Sequence, residues 1–212
     1  MTALLAGASG LIGREVARHW TGPGPLHLLV RRTQPATLPL HRVHVVDYAA
    51  LPPLPQAELA LCCLGTTIKV AGSQAAFRAV DHTAVLAFAR AAQRAGVKRF
   101  AVVSALGASL KSPTFYNRVK GEMEAELGTL GFVSLVIARP SLLAGDRASL
   151  GQAARPAERL TLALTAPFVP FIPKAWRPIQ AATVACAMLR ALSQTTTGVR
   201  VIESAALQDL GA

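Results

Sequence analysis

Tyr116 and Lys120 are the pair of side chains whose types and spacing best suit a chemical reaction. Residues four apart lie on one face of a helix, so a helix here would direct both side chains into one site. A free phenol has a pKa of about 10 and exchanges protons poorly at neutral pH. A nearby ammonium favours the phenolate and lowers that pKa. We therefore predict that Tyr116 gives a proton to a carbonyl oxygen as hydride arrives, or takes one in the reverse direction.

Ser104 is the third candidate for this chemistry. It follows the apolar run Phe100–Val103, which is typical of a strand, and its hydroxyl can donate a hydrogen bond to the same carbonyl oxygen. The helix that carries Tyr116 and Lys120 is predicted to continue through Glu122–Leu130. The alternative is an exposed tyrosine–lysine pair on a helix that has no chemical role.

Three glycines near the start of the chain indicate a site for phosphate groups. Gly7, Gly10 and Gly13 lie where an apolar run typical of a strand, Thr2–Ala6, must turn into a predicted helix, Leu11–Trp20. Glycine lets the backbone turn tightly and approach a pyrophosphate, and the start of the helix directs its N–H groups at the phosphates. The spacing is G-x-x-G-x-x-G, which predicts dinucleotide binding, with a plain strand–helix turn as the alternative.

Two arginines follow the second predicted strand, Leu26–Val30. An acidic residue at this position would accept hydrogen bonds from the adenine ribose of NAD. Arg31 and Arg32 would instead bind a 2′-phosphate, because a guanidinium matches phosphate oxygens and keeps its charge. We therefore predict NADP(H) rather than NAD(H), with an arginine pair on a solvent-facing loop as the alternative.

The remaining elements place these residues at one edge of a sheet. The pattern predicts a Rossmann-like, doubly wound α/β fold with a mostly parallel sheet and helices on both faces. We expect one domain over residues 1–212, with a small C-terminal cap at about residues 141–180 that forms the substrate side or, alternatively, a surface loop or dimer contact. The further strands and helices are predicted at Val43–Val46, Leu59–Leu64, Gln74–Ala95, Val133–Ala138, Gln180–Ser193 and Val199–Glu203, before a short terminal turn at Leu207–Leu210.

Composition excludes several classes of protein. With 52% hydrophobic and 16% charged residues, the chain is globular rather than disordered. The formal net charge of +11 is scattered, which favours attraction of an anionic cofactor over a specific nucleic-acid site. Cys62, Cys63 and Cys186 have neither metal-ligand nor disulfide spacing, and His41 and His44 lack a third ligand, so no metal site is predicted. We see no secretory signal and no membrane span, and expect a cytoplasmic protein.

Several segments together resemble the atypical short-chain dehydrogenase/reductase superfamily, and the resemblance covers essentially the whole chain. A Cys-Cys-Leu-Gly-Thr-Thr run and the Val-Lys-Gly-Glu-x-Glu continuation of the tyrosine–lysine motif narrow it to the Tat-interacting-protein-like oxidoreductases and their small bacterial relatives. The segments that carry the resemblance are Gly7–Gly13, Cys62–Thr67, Ala95–Ser104, Tyr116–Glu122 and Ala138–Pro140.

The resemblance implies a role for each matching residue. Ser104, Tyr116 and Lys120 would be the catalytic set, and an asparagine that completes it in many members has no clear match here, although Asp81 lies in that region. The glycine turn would bind the pyrophosphate, and the two arginines would bind the 2′-phosphate. The segment after the fourth strand, together with Lys120, would line the ribose. A proline would lie beside the nicotinamide. In that order the cofactor-binding residues are Gly7, Ser9, Gly10, Leu11, Ile12, Gly13, Arg31, Arg32, Leu64, Gly65, Thr66, Tyr116, Lys120 and Pro140.

These observations predict an NADP(H)-dependent oxidoreductase that acts on a small, largely apolar carbonyl or alcohol. A regulatory protein that binds NADP(H) without turnover is the first alternative, because fold membership does not establish turnover. A nucleotide-sugar epimerase is disfavoured by the short region after Pro140. A homodimer or a regulatory protein partner is left open.

Overall fold

The apolar runs form the strands of one sheet, because strands covered by helices on both faces must be apolar on both faces. The computed structural model describes residues 1–33, 35–36, 38–144, 173–194 and 196–212. The strands that it contains are β1 (Ala3–Ala6), β2 (Leu26–Val30), β3 (His41–Val45), β4 (Leu59–Cys62), β5 (Arg99–Val103), β6 (Ser134–Arg139), β7 (Leu143–Ala144), β8 (Ile179–Gln180) and β9 (Gly198–Glu203).

Within the described residues, seven of these strands form a parallel sheet in the order β3-β2-β1-β4-β5-β6-β9. The strand order reverses between β1 and β4, which is the switch point where such sheets bind ligands. The short strands β7 and β8 pair separately, also in parallel. The predicted Rossmann-like parallel sheet is confirmed.

Helices cover both faces of the sheet, which confirms the doubly wound arrangement. The α-helices of the described residues are α1 (Leu11–Arg18), α2 (Ile68–Ala71), α3 (Gln74–Arg78), α4 (Val85–Arg94), α5 (Phe115–Thr129), α6 (Ala181–Ser193) and α7 (Ser204–Gly211), with a 3₁₀ turn at Lys174–Trp176. One core lies between the sheet and the helices α1, α6 and α7, and the other between the sheet and the helices α4 and α5.

Two elements differ from the prediction. The helix predicted as continuous over Gln74–Ala95 contains a π-helical segment, Ala79–Ala84, between α3 and α4. The terminal turn predicted at Leu207–Leu210 belongs to the longer helix α7, because Leu207 is fully buried against the core and Gly211 allows the backbone to approach α6 closely.

The predicted cap at residues 141–180 falls largely on residues 145–172, which lie outside the described residues. Its described ends are joined by the pairing of β7 with β8. No helix within the described part of the chain combines the length and the apolar character that a membrane span requires.

Candidate active site

The turn between β1 and α1 needs glycine at two of its three glycine positions. Gly7 has a φ of 79°, and a Cβ there would lie 2.5 Å from the backbone of Cys63. A Cβ on Gly13 would lie 2.1 Å from the carbonyl oxygen of Gly7. These contacts bring the start of α1 close to the ends of β1 and β4. No side chain of the described residues caps the helix at Gly10, so the turn is a cradle of backbone groups suited to phosphate.

One cavity of about 640 Å³ joins this turn to the residues that follow β4, β5 and β6. It lies at the switch point of the sheet. The structure therefore brings together most of the catalytic and cofactor-binding residues that were predicted from the sequence. The predicted residues that line the cavity are Gly10, Leu11, Ile12, Leu64, Gly65, Thr66, Ser104, Tyr116, Lys120 and Pro140.

The other five predicted residues lie outside the described lining. Gly7 and Gly13 form the base of the turn, where their role is close backbone packing. Ser9 is exposed on the turn, and Arg31 and Arg32 are exposed directly after β2.

The position of Arg31 is still near the glycine turn. Burial and the Cys62 thiol raise the pKa of Tyr48, whereas the backbone of Gly7 and the charge of Arg31 lower it in part. Arg31 directly follows β2, whose Leu29 pairs with Ala6 at the end of β1, so this arginine lies at the end of the sheet that carries the turn.

The three catalytic candidates all line the cavity. Ser104 is buried after β5, and its Oγ has no hydrogen-bond partner among the described residues. The ring of Tyr116, on α5, packs against Phe77 with a centroid distance of 5.1 Å. Lys120, one turn further along α5, is 2% exposed, and its Nζ donates a hydrogen bond of 3.3 Å to the carbonyl oxygen of Val103.

The principal contact of Lys120 is with a residue to which the sequence analysis gave no role. Its Nζ lies 2.8 Å from Oδ1 of Asp81, and both side chains are almost fully buried. Oδ2 of the same carboxylate accepts a hydrogen bond of 2.8 Å from the backbone N–H of Thr66. The sequence did hold a signal for this pair: a buried lysine needs a counter-charge, and Asp81 is the sole acidic residue between Glu58 and Glu122.

The protonation of the site differs from the prediction. Burial raises the pKa of Tyr116 above its ordinary value, the Lys120 ammonium lowers it in part, and Asp81 raises it further. The net direction is upward, because burial outweighs the effect of the Lys120 charge and Asp81 partly balances that charge. Burial lowers the pKa of Lys120, but Asp81 and Tyr116 raise it and the net shift is upward. At neutral pH the site thus holds a phenol and an ammonium.

The outer part of the cavity is apolar, and the sequence analysis did not nominate its residues. The short helix α2 contributes Ile68 and Val70, and the region around β7 contributes Leu142 and Leu143. Trp176, in the 3₁₀ turn, is 67% exposed and also lines the cavity. These residues come from a helix too short to be seen as a periodic pattern and from the ends of the predicted cap.

The two adjacent cysteines behave as small apolar residues. Burial raises the pKa of the Cys62 thiol to about 12 and that of the Cys63 thiol well above its ordinary value. Both thiols therefore stay protonated at neutral pH, although Cys63 lines the cavity beside the turn.

The residues present fit a dinucleotide. The glycine turn leaves no room for a Cβ at Gly7 or Gly13, and the Ser104 hydroxyl, which has no partner in the described part of the chain, lies in the cavity wall. A doubly wound sheet with such a turn and cavity at its switch point defines a nucleotide-binding protein of the Rossmann class.

Residues 7–147 match the NAD(P)H-binding family, and the chain belongs to this oxidoreductase-like family. Protein HTATIP2 of Rattus norvegicus is 35% identical over 175 residues, which cover 79% of this chain and 69% of that protein. Protein fmp52, mitochondrial, of Emericella nidulans is 40% identical over 112 residues, which cover 53% of this chain and 46% of that protein. The chain thus spans about half to two thirds of these relatives, and the predicted superfamily and Tat-interacting-protein-like resemblance are confirmed.

The fold has close counterparts among solved structures. MoeE5 in complex with UDP-glucose and NAD superimposes with a TM-score of 0.71 at 16% identity, covering 95% of this chain and 75% of that one. At this identity the likeness concerns the fold alone, so the nucleotide sugar of that complex is not transferred to this chain.

The expected cytoplasmic location is wrong. The curated relatives named FMP52 are named as mitochondrial proteins, and these names contradict the expectation. The expectation rested on seeing neither a secretory signal nor a membrane span, and those two observations do not single out the cytoplasm.

Proposed function

We propose that this protein is an NADP(H)-dependent oxidoreductase that transfers hydride to or from a small, largely apolar carbonyl or alcohol. The observation that carries the proposal is the cavity that joins the glycine turn to Ser104, Tyr116 and Lys120. Membership of the NAD(P)H-binding family supports the cofactor class.

The cofactor would be held along the carboxyl ends of the strands. Backbone groups of the turn at Gly10–Ile12 would bind the pyrophosphate, and Gly65 and Thr66 would line the ribose side. Pro140, buried after β6, would bound the nicotinamide side. When bound, a nicotinamide cofactor supplies or accepts the hydride.

The chain's own residues would handle the proton. Tyr116 is protonated at neutral pH because its pKa is raised, so it can donate its proton to a carbonyl oxygen during reduction. The Ser104 hydroxyl can donate a hydrogen bond to the same oxygen, since it has no partner among the described residues. The buried ammonium of Lys120 favours the phenolate that remains after the proton has left.

The apolar mouth supports the substrate class. Ile68, Val70, Leu142 and Trp176 surround the entrance, and a substrate bound there exchanges contact with water for contact with apolar side chains. A small apolar carbonyl compound matches this lining better than an ionised one does, because an unpaired charge is costly to remove from water.

The cofactor preference is tested by titrating the protein with NADPH and NADH. We expect NADPH to bind at least about tenfold more tightly, which corresponds to about 1.4 kcal/mol. Replacing Arg31 and Arg32 by Gln should remove this difference, because both guanidiniums follow the second strand near the turn. Equal affinities in the unaltered protein would contradict the preference, and the absence of binding would contradict the cofactor itself.

The reaction is tested with the Tyr116→Phe variant. We expect turnover of apolar carbonyl compounds with NADPH to be lost, while cofactor affinity is nearly unchanged, because the ring remains and the proton donor is gone. Tyr48→Phe is the matched control: Tyr48 is also buried, but its hydroxyl donates to the carbonyl oxygen of Leu29 and it does not belong to the described lining of the cavity. Unchanged turnover in Tyr116→Phe would refute the mechanism.

Cofactor sensing without turnover is a second candidate function. The observation that favours it is the ion pair of Lys120 with Asp81, which engages the ammonium that the reaction uses. This function predicts a protein partner whose affinity differs between NADPH and NADP⁺. Partner binding that is the same with either cofactor and with none would exclude it.

A further inference from the structure

Asp81 is an acidic side chain placed inside the protein by an unusual element. It is fully buried and lies in the π-helical segment Ala79–Ala84. π-Helical turns are rare and frequently occur at functional sites. A buried carboxylate is costly unless it is paired and hydrogen-bonded, so its partners indicate its role.

Each carboxylate oxygen of Asp81 has a separate partner. Oδ1 lies 2.8 Å from Nζ of Lys120, and Oδ2 accepts the backbone N–H of Thr66 at 2.8 Å. The second contact fixes the orientation of the carboxylate. Lys120 Nζ is also within 3.3 Å of the carbonyl oxygen of Val103. The ammonium is thus held between oxygens from two different elements.

The cofactor-binding segment after β4 lies directly against this pair. A Cβ placed on Gly65 would lie 3.4 Å from Oδ1 of Asp81 and 4.0 Å from Nζ of Lys120. The pair therefore borders the wall of the cavity, where both Asp81 and Lys120 contribute to the lining.

We propose that Asp81 is a positioning residue that holds the Lys120 ammonium in one place beside Tyr116 and balances its charge. The chemical meaning of this role rests on the proposed function, but its electrostatic effect exists without cofactor. The carboxylate of Asp81 sets the protonation of the catalytic pair by charge.

The charged and titratable groups that face the pair come from four elements. Tyr116 and Lys120 belong to α5, Asp81 to the π-helical segment, Cys62 to β4 and Cys63 to the segment that follows. Burial raises the pKa of the Cys62 thiol to about 12 and that of Cys63 well above its ordinary value, so neither thiol is charged at neutral pH. Asp81 therefore supplies the negative charge that balances Lys120, and it opposes the effect of Lys120 on the pKa of Tyr116.

The test uses the absorbance of tyrosinate in the cofactor-free protein. The chain has two tyrosines, so Tyr116→Phe identifies the Tyr116 step by removing it. Asp81→Asn keeps the shape of the side chain and an acceptor for the N–H of Thr66, but it removes the charge. We expect the Tyr116 midpoint to move to lower pH by about one unit, because the ammonium is no longer balanced. An unchanged midpoint would overturn the proposal.

Asp209→Asn is the matched control. Asp209 pairs with Lys174 at an exposed site, so the same change of net charge occurs away from the cavity. We expect no shift of the Tyr116 midpoint. A shift as large as that of Asp81→Asn would assign the effect to overall charge and overturn the proposal.

A second measurement covers the case in which Asp81→Asn does not fold. The double variant Asp81→Asn/Lys120→Met removes both charges and leaves no unpaired ion. The Tyr116 midpoint should stay close to that of the unaltered protein if Asp81 balances Lys120, whereas a clear rise would reveal an unbalanced ammonium and overturn the proposal. Circular dichroism at each pH ensures that the protein is folded during the titration.

The titration and the cofactor experiments test the two proposals independently. If NADPH does not bind and the Asp81→Asn shift is observed, the proposed function fails and the positioning role stands. If NADPH supports turnover and the shift is absent, the positioning role fails and the proposed function stands.

Discussion

Ser104 has a buried hydroxyl whose oxygen has no partner among the described residues. An unpaired buried polar group costs free energy, so its presence in the cavity wall needs a reason. A carbonyl oxygen of the substrate would supply the missing acceptor. The Ser104 hydroxyl therefore lowers the stability of the protein, while the proposed reaction depends on it.

Replacing Ser104 by Ala should separate these two effects. We expect the melting temperature to stay the same or rise, because an unpaired polar group is removed, while kcat falls by about a hundredfold. Thermal unfolding and turnover with NADPH measure the two quantities. Ser204→Ala is the control for stability: Ser204 is also fully buried, but its hydroxyl donates to Ser141, so its loss should lower the melting temperature. Full activity in Ser104→Ala would contradict the assigned role.

Among the site residues, the sequence predicted those whose position follows from their spacing along one helix or from the strand that precedes them. Tyr116 and Lys120 share one face of α5 and reach the cavity together with Ser104. The contact of Lys120 with Asp81 could not be read from local spacing, because it joins two helical segments that are distant in the chain. The direction of the Tyr116 pKa was predicted wrongly, because burial, which local spacing does not show, outweighs the effect of the Lys120 charge.

Helix α5 contains two glycines with opposite packing environments. Gly121 is buried, and a Cβ there would lie 2.3 Å from the backbone of Ser109. Gly128 is exposed, and a Cβ there would meet no described atom within 4 Å. The first glycine thus allows α5 to approach the segment after β5 closely, and this approach places Lys120 in the cavity.

Alanine at these two positions should change stability in opposite directions. Gly121→Ala should lower the free energy of unfolding by about 2 kcal/mol, because the backbone must move to accept the methyl group. Gly128→Ala should raise it by about 1 kcal/mol, because alanine is the better helix former. Urea unfolding measures both values. A stable Gly121→Ala variant with unchanged cofactor binding would show that the close approach is not needed.

Elements with a strong pattern were predicted closely. Leu26–Val30 matches β2 in full, since a short apolar run between polar residues has clear ends. The π-helical segment was not predicted, because apolar periodicity identifies a helix without showing where its turn widens. The pairing of β7 with β8 involves two residues on each strand, which is too short for a period to be recognised.

The whole molecule should lose stability in alkaline solution. The folded protein raises the pKa of Lys120 above its ordinary value of 10.5. The unfolded chain then releases its proton first, so the stabilisation is complete below that pH and is lost as pH rises through the folded pKa. The raised pKa of Tyr116 acts in the same direction, because the unfolded chain ionises first.

Urea unfolding between about pH 8 and pH 12 measures this loss. The comparison is with Lys120→Met, in which the loss should be smaller because the titrating ammonium is absent. Exposed lysines contribute little, since their pKa is nearly the same in both states. An identical pH dependence in the two proteins would show that the buried pair does not control alkaline stability.

The strand order also constrains the sequence of events during synthesis. β1 lies in the middle of the sheet and pairs with both β2 and β4. The edge of β1 that pairs with β4 has no partner until β4 has been translated. Parallel pairing between strands that are far apart in the sequence forms slowly. Pro140, which lines the cavity, directly follows β6, so the cavity is incomplete until six of the seven strands of the sheet have been translated. A nascent chain halted before β6 would expose apolar strand edges and depend on chaperones to stay out of aggregates.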